Sequence, residues 1–371
     1  MIMIIGSAGK TALKIYLNQL MSDAIKCNAI IDSKNQTRSI CKALTNISKD
    51  TDVCLVEAAT AHPSSVIPRS EIIQPTIMLA AEFLEEHMKH HSSIDSLVST
   101  KLKSLKFMKR DKIFIHQYQE ELASSIQRSV TDACIDRVFT YGWSNQCDAY
   151  IKQISLSSKG QTVFSNVLGV DLQYHIPFME KYAALQVTAA MLVCRLLGLD
   201  LNQLKLKTSG LSNYESSGNM YLLQSESRIK KLFLYSSCDR GSFPSFAALI
   251  ETLRATKGLH DGRRVLILSK MIDSYYNGSY SFNDHDLIDS LNDAGIDLLI
   301  TLWDFSSVHD VSRLSVPVIH YDTLFDLKSD LLGLIKNNDM LYMKATWTEQ
   351  ESLKMIRDFL FSEFQFKQKL Y

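Results

Sequence analysis

Short apolar runs alternate with stretches of helical periodicity from the first residue onward. MIMII (1–5) is unbroken and apolar, and after a glycine-containing turn a helix is predicted over about 11–22. CNAII, DVCLVEA and TIMLA read as the next strands, and DVCLVEA is apolar enough to lie in a sheet covered on both faces. A polar helical stretch over 92–108 follows, and KIFIHQ and RVFTYG continue the pattern. Such alternation predicts an α/β fold with a mainly parallel sheet.

The pattern changes over about 150–177, where AYIKQISLSSKGQTVFSNVLGVDLQYHIP breaks into short alternating runs with a turn at 158–160, the mark of antiparallel strands. A long helix, YAALQVTAAMLVCRLLGLD, ends near Gly198 and leads into a polar loop, TSGLSNYESSGN. From about residue 230 the alternation restarts with KLFLY, a helix over FPSFAALIETLRAT, RRVLILS, a helix after His285, IDLLITL, PVIHY, a further helix, DMLYMKA and a terminal helix. Two domains are expected, 1–229 and 230–371, since single cores stop growing at roughly 250–300 residues.

Composition narrows the function classes. Hydrophobic residues make up 46% and charged residues 22%, as in ordinary globular proteins. The 40 basic residues balance the 40 acidic ones, which gives no broad basic face for nucleic acid. No apolar run approaches the roughly 20 residues of a membrane span. Gly6–Lys10 interrupts the first apolar run too early for a signal peptide. Seven scattered cysteines without a C-x-x-C pair read as reduced, mostly buried thiols, and a cytoplasmic location is expected.

Gly6-Ser7-Ala8-Gly9-Lys10-Thr11 lies between a predicted strand and helix, where backbone N–H groups and the helix dipole can hold phosphate. Only two residues separate the glycines, so the strict G-x-x-x-x-G-K-[ST] pattern is not met. In a nucleotide site Lys10 would neutralise the β- and γ-phosphates and the Thr11 hydroxyl would bind Mg²⁺. Glu57 ends DVCLVEA at the carboxyl edge of the sheet, where α/β folds bind ligands. His87, in EEHMKHH, belongs to a cluster that alone reads as a solvated helix end, and Lys101, in VSTKLKSL, alone reads as a surface lysine.

Taken together, these residues resemble the Mur ligase family, most closely the branch that adds D-alanyl-D-alanine. That branch carries a shortened phosphate loop ending in GKT, a glutamate closing a later strand, and a histidine followed by a lysine that becomes carbamylated. Fourteen residues lead from His87 to Lys101, the interval of that branch. LGLDLNQLKLKTSGL is similar to the end of the family's central domain. GSFPSFAALIETL, GRRVLILSKMID and NNDMLYMKAT are similar to parts of its C-terminal domain. The resemblance implies a P-loop-containing central ATPase domain with a mainly parallel sheet, followed by a C-terminal Rossmann-like α/β domain. It also implies ATP-dependent amide formation through an acyl phosphate, with ATP and Mg²⁺ as cofactors.

In that scheme Thr11 and Glu57 hold one ion, His87 and carbamylated Lys101 a second, and Lys10, His87 and Lys101 act in catalysis. His285 and Lys344 are the substrate-side candidates in the C-terminal domain. The substrates expected are a small-molecule carboxylate and an amine such as an amino acid or peptide. The family's N-terminal UDP-binding domain is the part not matched, and its recognition surface is expected from a protein partner, a carrier-bound substrate or a second copy of the chain.

The nucleoside side departs from the family pattern. Tyr182, Ala183 and Gln186 stand where a His-Asn pair and a further Asn are usual; Tyr182 can stack on a base, whereas Ala183 has no side-chain group to hydrogen-bond, and Tyr182 and Gln186 remain the nucleoside candidates. Gly218-Asn219 replaces a Gly-Arg pair, and Asp239 and Arg240 in SSCDRGSFP supply charge in another register. ATWTEQ lacks the family's arginine. Two readings follow: an active ligase of a specialised biosynthetic pathway, or a catalytically degenerate homologue that binds a nucleotide or partner. A generic P-loop kinase fits less well, because DVCLVEA ends in Glu rather than the usual Asp. Arg263 and Arg264 read as substrate-side or surface charges, and YYNGSYSF (275–282) as an exposed loop able to contact substrate or partner.

Overall fold

A computed structural model describes residues 1–29, 36–60, 62–85, 88–109, 111–213, 218–226, 231–237, 243–269, 284–303, 305, 310–345 and 350–370. The chain divides into two compact units. The first comprises 1–155, 162–176 and 182–214, and the second 156–161, 177–181 and 215–371.

Nine strands form the first sheet: β1 (Ile2–Ile5), β2 (Cys27–Ala29), β3 (Val53–Glu57), β4 (Ile77–Ala80), β5 (Ile113–Gln117), β6 (Arg137–Gly142), β7 (Ala149–Ser157), β8 (Gly160–Val167) and β9 (Val170–Ile176). Their spatial order is β2-β3-β1-β4-β5-β6-β7-β8-β9, parallel from β2 through β7. Two-residue turns join β7 to β8 and β8 to β9, a connection only antiparallel neighbours allow. The expected switch of character near 150 is therefore present.

The helices are α1 (Lys10–Met21), α2 (Thr37–Thr45), α3 (Pro63–Ile73), α4 (Ile94–Leu102), α5 (Ala123–Asp132), α6 (Lys181–Leu196) and α7 (Leu201–Lys207). The helix expected over 92–108 is shorter: α4 gives way at Lys103 to a tighter 3₁₀ turn ending at Phe107. β1, β3 and β4 are buried at every position, as strands covered on both faces must be. One core cluster gathers Met3, Ile5, Val56, Met78, Phe114 and Val98 between this sheet and its helices.

The second sheet contains β10 (Asn219–Gln224), β11 (Lys231–Ser237), β12 (Arg264–Leu268), β13 (Leu298–Leu302), β14 (Val318–Tyr321), β15 (Met340–Lys344) and β16 (Phe366–Lys369), with helices α8 (Phe243–Ala255), α9 (Asp284–Asp293), α10 (Leu324–Leu334) and α11 (Gln350–Glu363). The order is β14-β13-β12-β15-β11-β10-β16, with β11 to β15 parallel and β10 antiparallel to both β11 and β16. Two elements exceed the sequence expectation. The polar loop ends in strand β10, and the terminal helix is followed by strand β16.

Three of the six described cysteines, Cys54, Cys147 and Cys194, are buried, whereas Cys41 and Cys134 are exposed, so burial of the thiols is less general than expected. Among the described residues no helix is long and apolar enough to cross a membrane.

Candidate functional site

Strand order fixes the position of the phosphate loop. β1 sits between β3 and β4, with Ile4 paired to Glu57 and Ile5 to Ala80, so the loop that leaves β1 opens between two carboxyl ends. Gly6 adopts φ 125, and a Cβ built there would lie 2.9 Å from the Ala81 carbonyl oxygen. Only glycine lets the chain turn this tightly against its neighbour. Ser7 ties the loop down, its N–H donating to the Glu82 carbonyl at 2.8 Å and its hydroxyl to the Leu84 carbonyl at 3.0 Å. Gly9, at φ 80, precedes the first turn of α1 without a capping side chain, which leaves that turn's N–H groups to a ligand.

Five polar side chains converge on this loop and the start of α1. Lys10 Nζ donates to the carbonyls of Gly6 at 3.0 Å and Ser7 at 2.5 Å. Lys101, in the last turn of α4, reaches the same Gly6 oxygen at 3.0 Å. The two ammonium groups are therefore separated by at most twice that distance. Thr11 Oγ1 donates to Glu57 Oε2 at 3.0 Å, and Lys14 Nζ approaches the same oxygen at 2.9 Å. Lys101 and Glu57 are 2% and 3% exposed, so Lys101 is no surface lysine. Two buried ammonium groups on the loop carbonyls, with a third on the Glu57 carboxylate, make a cluster suited to a polyanion.

Gln186 joins the same region. It lies in the second turn of α6, and a Cβ added to Gly9 would run into its side-chain amide. Tyr182 stands one helical turn earlier on the same face and is partly exposed. Ala183 is buried in the α6 packing and offers no hydrogen-bonding side chain. Gly6, Ser7, Ala8, Gly9, Lys10, Thr11, Glu57, Lys101 and Gln186 are thus brought to one place.

The residue missed in the sequence is Lys14. Its signal was available, because a lysine between Leu13 and Ile15, one turn after Lys10, interrupts an otherwise apolar helix face.

The donor set fits one Mg²⁺. A hydroxyl and a carboxylate oxygen already meet at 3.0 Å, and oxygen ligands of this kind suit a hard divalent cation. For a second ion, His87 lies outside the described residues. Lys101 presents an amine, and only its carbamylated form would supply an anionic oxygen. Elsewhere in the cluster the His90 ring meets the edge of His62 at 4.5 Å, and His62 caps α3 by accepting from the Ser64 N–H. Among the described residues no three His, Cys, Asp or Glu side chains are grouped to hold a metal.

The candidates of the second unit are placed separately. Asn219 opens β10 and is fully buried. Lys344 ends β15 and donates to Ser237 Oγ, at the end of β11, at 3.3 Å. His285 lies in α9, but its side chain, like Asp239, Arg240 and the stretch 275–282, is outside the described residues. Arg263 and Arg264 have structural work. Arg263 forms a two-pronged pair with Asp339 at 3.1 and 2.6 Å. Arg264 caps helix ends by donating to the carbonyls of Leu253, Ala294 and Gly295. The substrate-side reading of these two arginines gives way to packing.

Burial raises the Glu180 carboxyl above its ordinary value. The Tyr235 hydroxyl, which donates to it, and the nearby Lys344 ammonium oppose that rise.

A shortened phosphate loop at the switch point of a parallel sheet, with a Thr–Glu pair at its mouth, defines a nucleotide-binding α/β protein. The chain belongs to the Mur ligase family, a group of ATP-dependent amide-bond ligases, since residues 4–194 match the Mur ligase middle domain. Its likeness is to the D-alanyl-D-alanine-adding branch. The UDP-N-acetylmuramoyl-tripeptide–D-alanyl-D-alanine ligase of Rickettsia prowazekii is 19% identical over 93% of this chain and 75% of its own length. The fold is shared with the MurF ligase of Thermotoga maritima, solved with ADP (TM-score 0.80, 16% identity, 98% of this chain and 81% of that one). It is also shared with the folylpolyglutamate synthase of Mycobacterium tuberculosis, solved with ADP and AMPPCP (TM-score 0.68, 11% identity, 96% and 90%).

Proposed function

We propose that this chain is an ATP-dependent carboxylate–amine ligase of a specialised biosynthetic pathway. The observation that carries the reading is the meeting of Lys10, Thr11, Glu57 and Lys101 at the loop after β1. A substrate carboxylate oxygen attacks the γ-phosphorus of ATP, the bond to the β-phosphate oxygen breaks, and ADP leaves. The amine nitrogen then attacks the acyl carbon, the carbon–oxygen bond to phosphate breaks, and the amine loses a proton as the amide forms. Lys10 and the first-turn N–H groups of α1 hold the transferring phosphoryl group.

Thr11 and Glu57 would hold Mg²⁺, and His87 with carbamylated Lys101 a second ion, neutralising charge on the phosphoryl oxygens. Tyr182, Gln186, Asn219 and Asp239 are assigned to the nucleoside side, and His285 and Lys344 to the amine substrate. In this reading the first unit, expected over 1–229, is the ATP-binding domain, and the second, which also takes in β10 (219–224), is the C-terminal domain. The acid and amine are small molecules, and the reaction runs in the cytoplasm.

The second reading, a degenerate homologue that binds a nucleotide or partner, draws its support from buried Ala183, which has no side-chain donor or acceptor for a base. Calorimetric titration of MgATP into the wild type and Lys10→Ala tests the site. Binding that disappears in the variant is expected, whereas no binding by folded wild type defeats the stand-alone ligase. ADP release that requires both an acid and an amine then separates the ligase from a degenerate binder.

A further inference from the structure

Glu57 carries more than the Thr11 contact that a metal site needs. Its Oε2 also receives the Lys14 ammonium at 2.9 Å, in a pair whose side chains are 1% and 0% exposed. Both donors therefore address one carboxylate oxygen in the first turns of a single helix. A buried carboxylate without a counter-ion needs a cation from solution. Lys14 removes that need, because it is covalently attached, buried and already within ion-pair distance.

We propose that Lys14 is the resident counter-ion of the metal carboxylate. It holds Glu57 turned toward Thr11 while the nucleotide is absent, and it makes metal capture depend on the phosphates that arrive with the metal. This rests on the Mg²⁺ site of the proposed function. An Mg²⁺ ion coming alone meets a carboxylate whose charge is already matched and an ammonium that repels it. An Mg²⁺ ion coming with ATP brings phosphate oxygens that outweigh the lysine charge. Metal and nucleotide binding are then coupled through one side chain, and Lys14 is a positioning residue rather than a catalytic one.

The test uses the full chain without nucleotide, with MgCl₂ as the probe. Lys14→Met is expected to lower the thermal midpoint in EDTA and to recover most of that loss in Mg²⁺, while the wild type responds little. Its calorimetric affinity for Mg²⁺ should rise by about tenfold or more, the scale on which removing one nearby charge acts. Lys14→Arg, which keeps the charge, should behave as wild type. Adding Glu57→Gln to Lys14→Met should remove the response to Mg²⁺. If Lys14→Met does not fold, Lys14→Gln carries the same expectation with a hydrogen bond to Glu57 retained. Mg²⁺ affinity unchanged or weakened in the neutral variants, or recovery in Mg²⁺ that persists with Glu57→Gln, overturns the proposal. The ligase reading fails by a different sign, the absence of MgATP binding by wild type.

Discussion

The loop end of the first unit and the strand ends of the second both hold candidate residues but organise them differently. Around the loop, residues from β3, α1 and α4 are locked to one another by hydrogen bonds to two shared oxygens, those of Gly6 and Glu57. In the second unit the described candidates sit apart on β10 and β15, and the conspicuous arginines are spent on packing. Where chemistry is built on adjacent parallel strands, register alone brings it together. Where the candidates come from separate elements, charge in the sequence does not reveal which groups face a ligand.

The strongest way to sharpen that contrast is to break the buried pair on each side. Glu57→Ala leaves the Lys14 ammonium buried without its carboxylate and should cost about 3–5 kcal/mol in urea unfolding. Asp339→Ala removes the acceptor of Arg263, whose side chain is 31% exposed, and should cost less, about 1.5–3 kcal/mol. Equal losses would show that the two ion pairs are equivalent and that the loop cluster has no special burial cost.

Gln186→Ala comes next and separates binding from stability. Its amide lies beside Gly9 without filling the core, so unfolding should change by no more than about 0.5 kcal/mol while MgATP affinity falls several-fold. Unchanged affinity would take Gln186 out of the nucleotide site.

Glu180→Gln should act in the opposite direction and only above a certain pH. Because burial raises the Glu180 carboxyl, the folded chain holds that proton more tightly than the unfolded chain does. Below the ordinary carboxyl range both states are protonated and the residue contributes nothing to pH dependence. As pH rises past about 4.3, the usual glutamate value, the unfolded chain releases its proton while the folded chain still holds it, and stability falls until the folded carboxyl also ionises. The amide removes that charge and keeps an oxygen for Tyr235, so the variant should be the more stable at neutral pH and equal to wild type in acid. A stability difference independent of pH would assign the effect to packing.

Much of this architecture was legible because apolar period and glycine placement act locally. The strands β1, β3, β4, β12 and β15 were visible as continuous apolar runs, and the loop glycines as the only residues that could make the turn. β10, NMYLLQ, lies inside the sheet between β11 and β16, but its short apolar run follows directly on the polar stretch TSGLSNYESSGN, and β16, FKQK, has no alternation that a sheet core would demand. Lys14 was passed over for a different reason. A lysine on an apolar helix face reads as a side chain that snorkels to water, and its meaning depends on a carboxylate 43 residues away in the chain.

The pairing of β16 with β10 also governs how the molecule meets its own copies. Asn219–Gln224, NMYLLQ, would end the second sheet as an apolar, adhesive edge if nothing lay beside it. Instead the sheet ends in a short strand that sets exposed Lys367 and Lys369 along its rim, and the Leu370 N–H closes onto the Met220 carbonyl at 2.8 Å. Charge on a short outer strand discourages edge-to-edge growth into aggregates. Until residues 366–370 have folded back, a nascent second unit carries a sticky margin, which makes this segment a poor place for truncation.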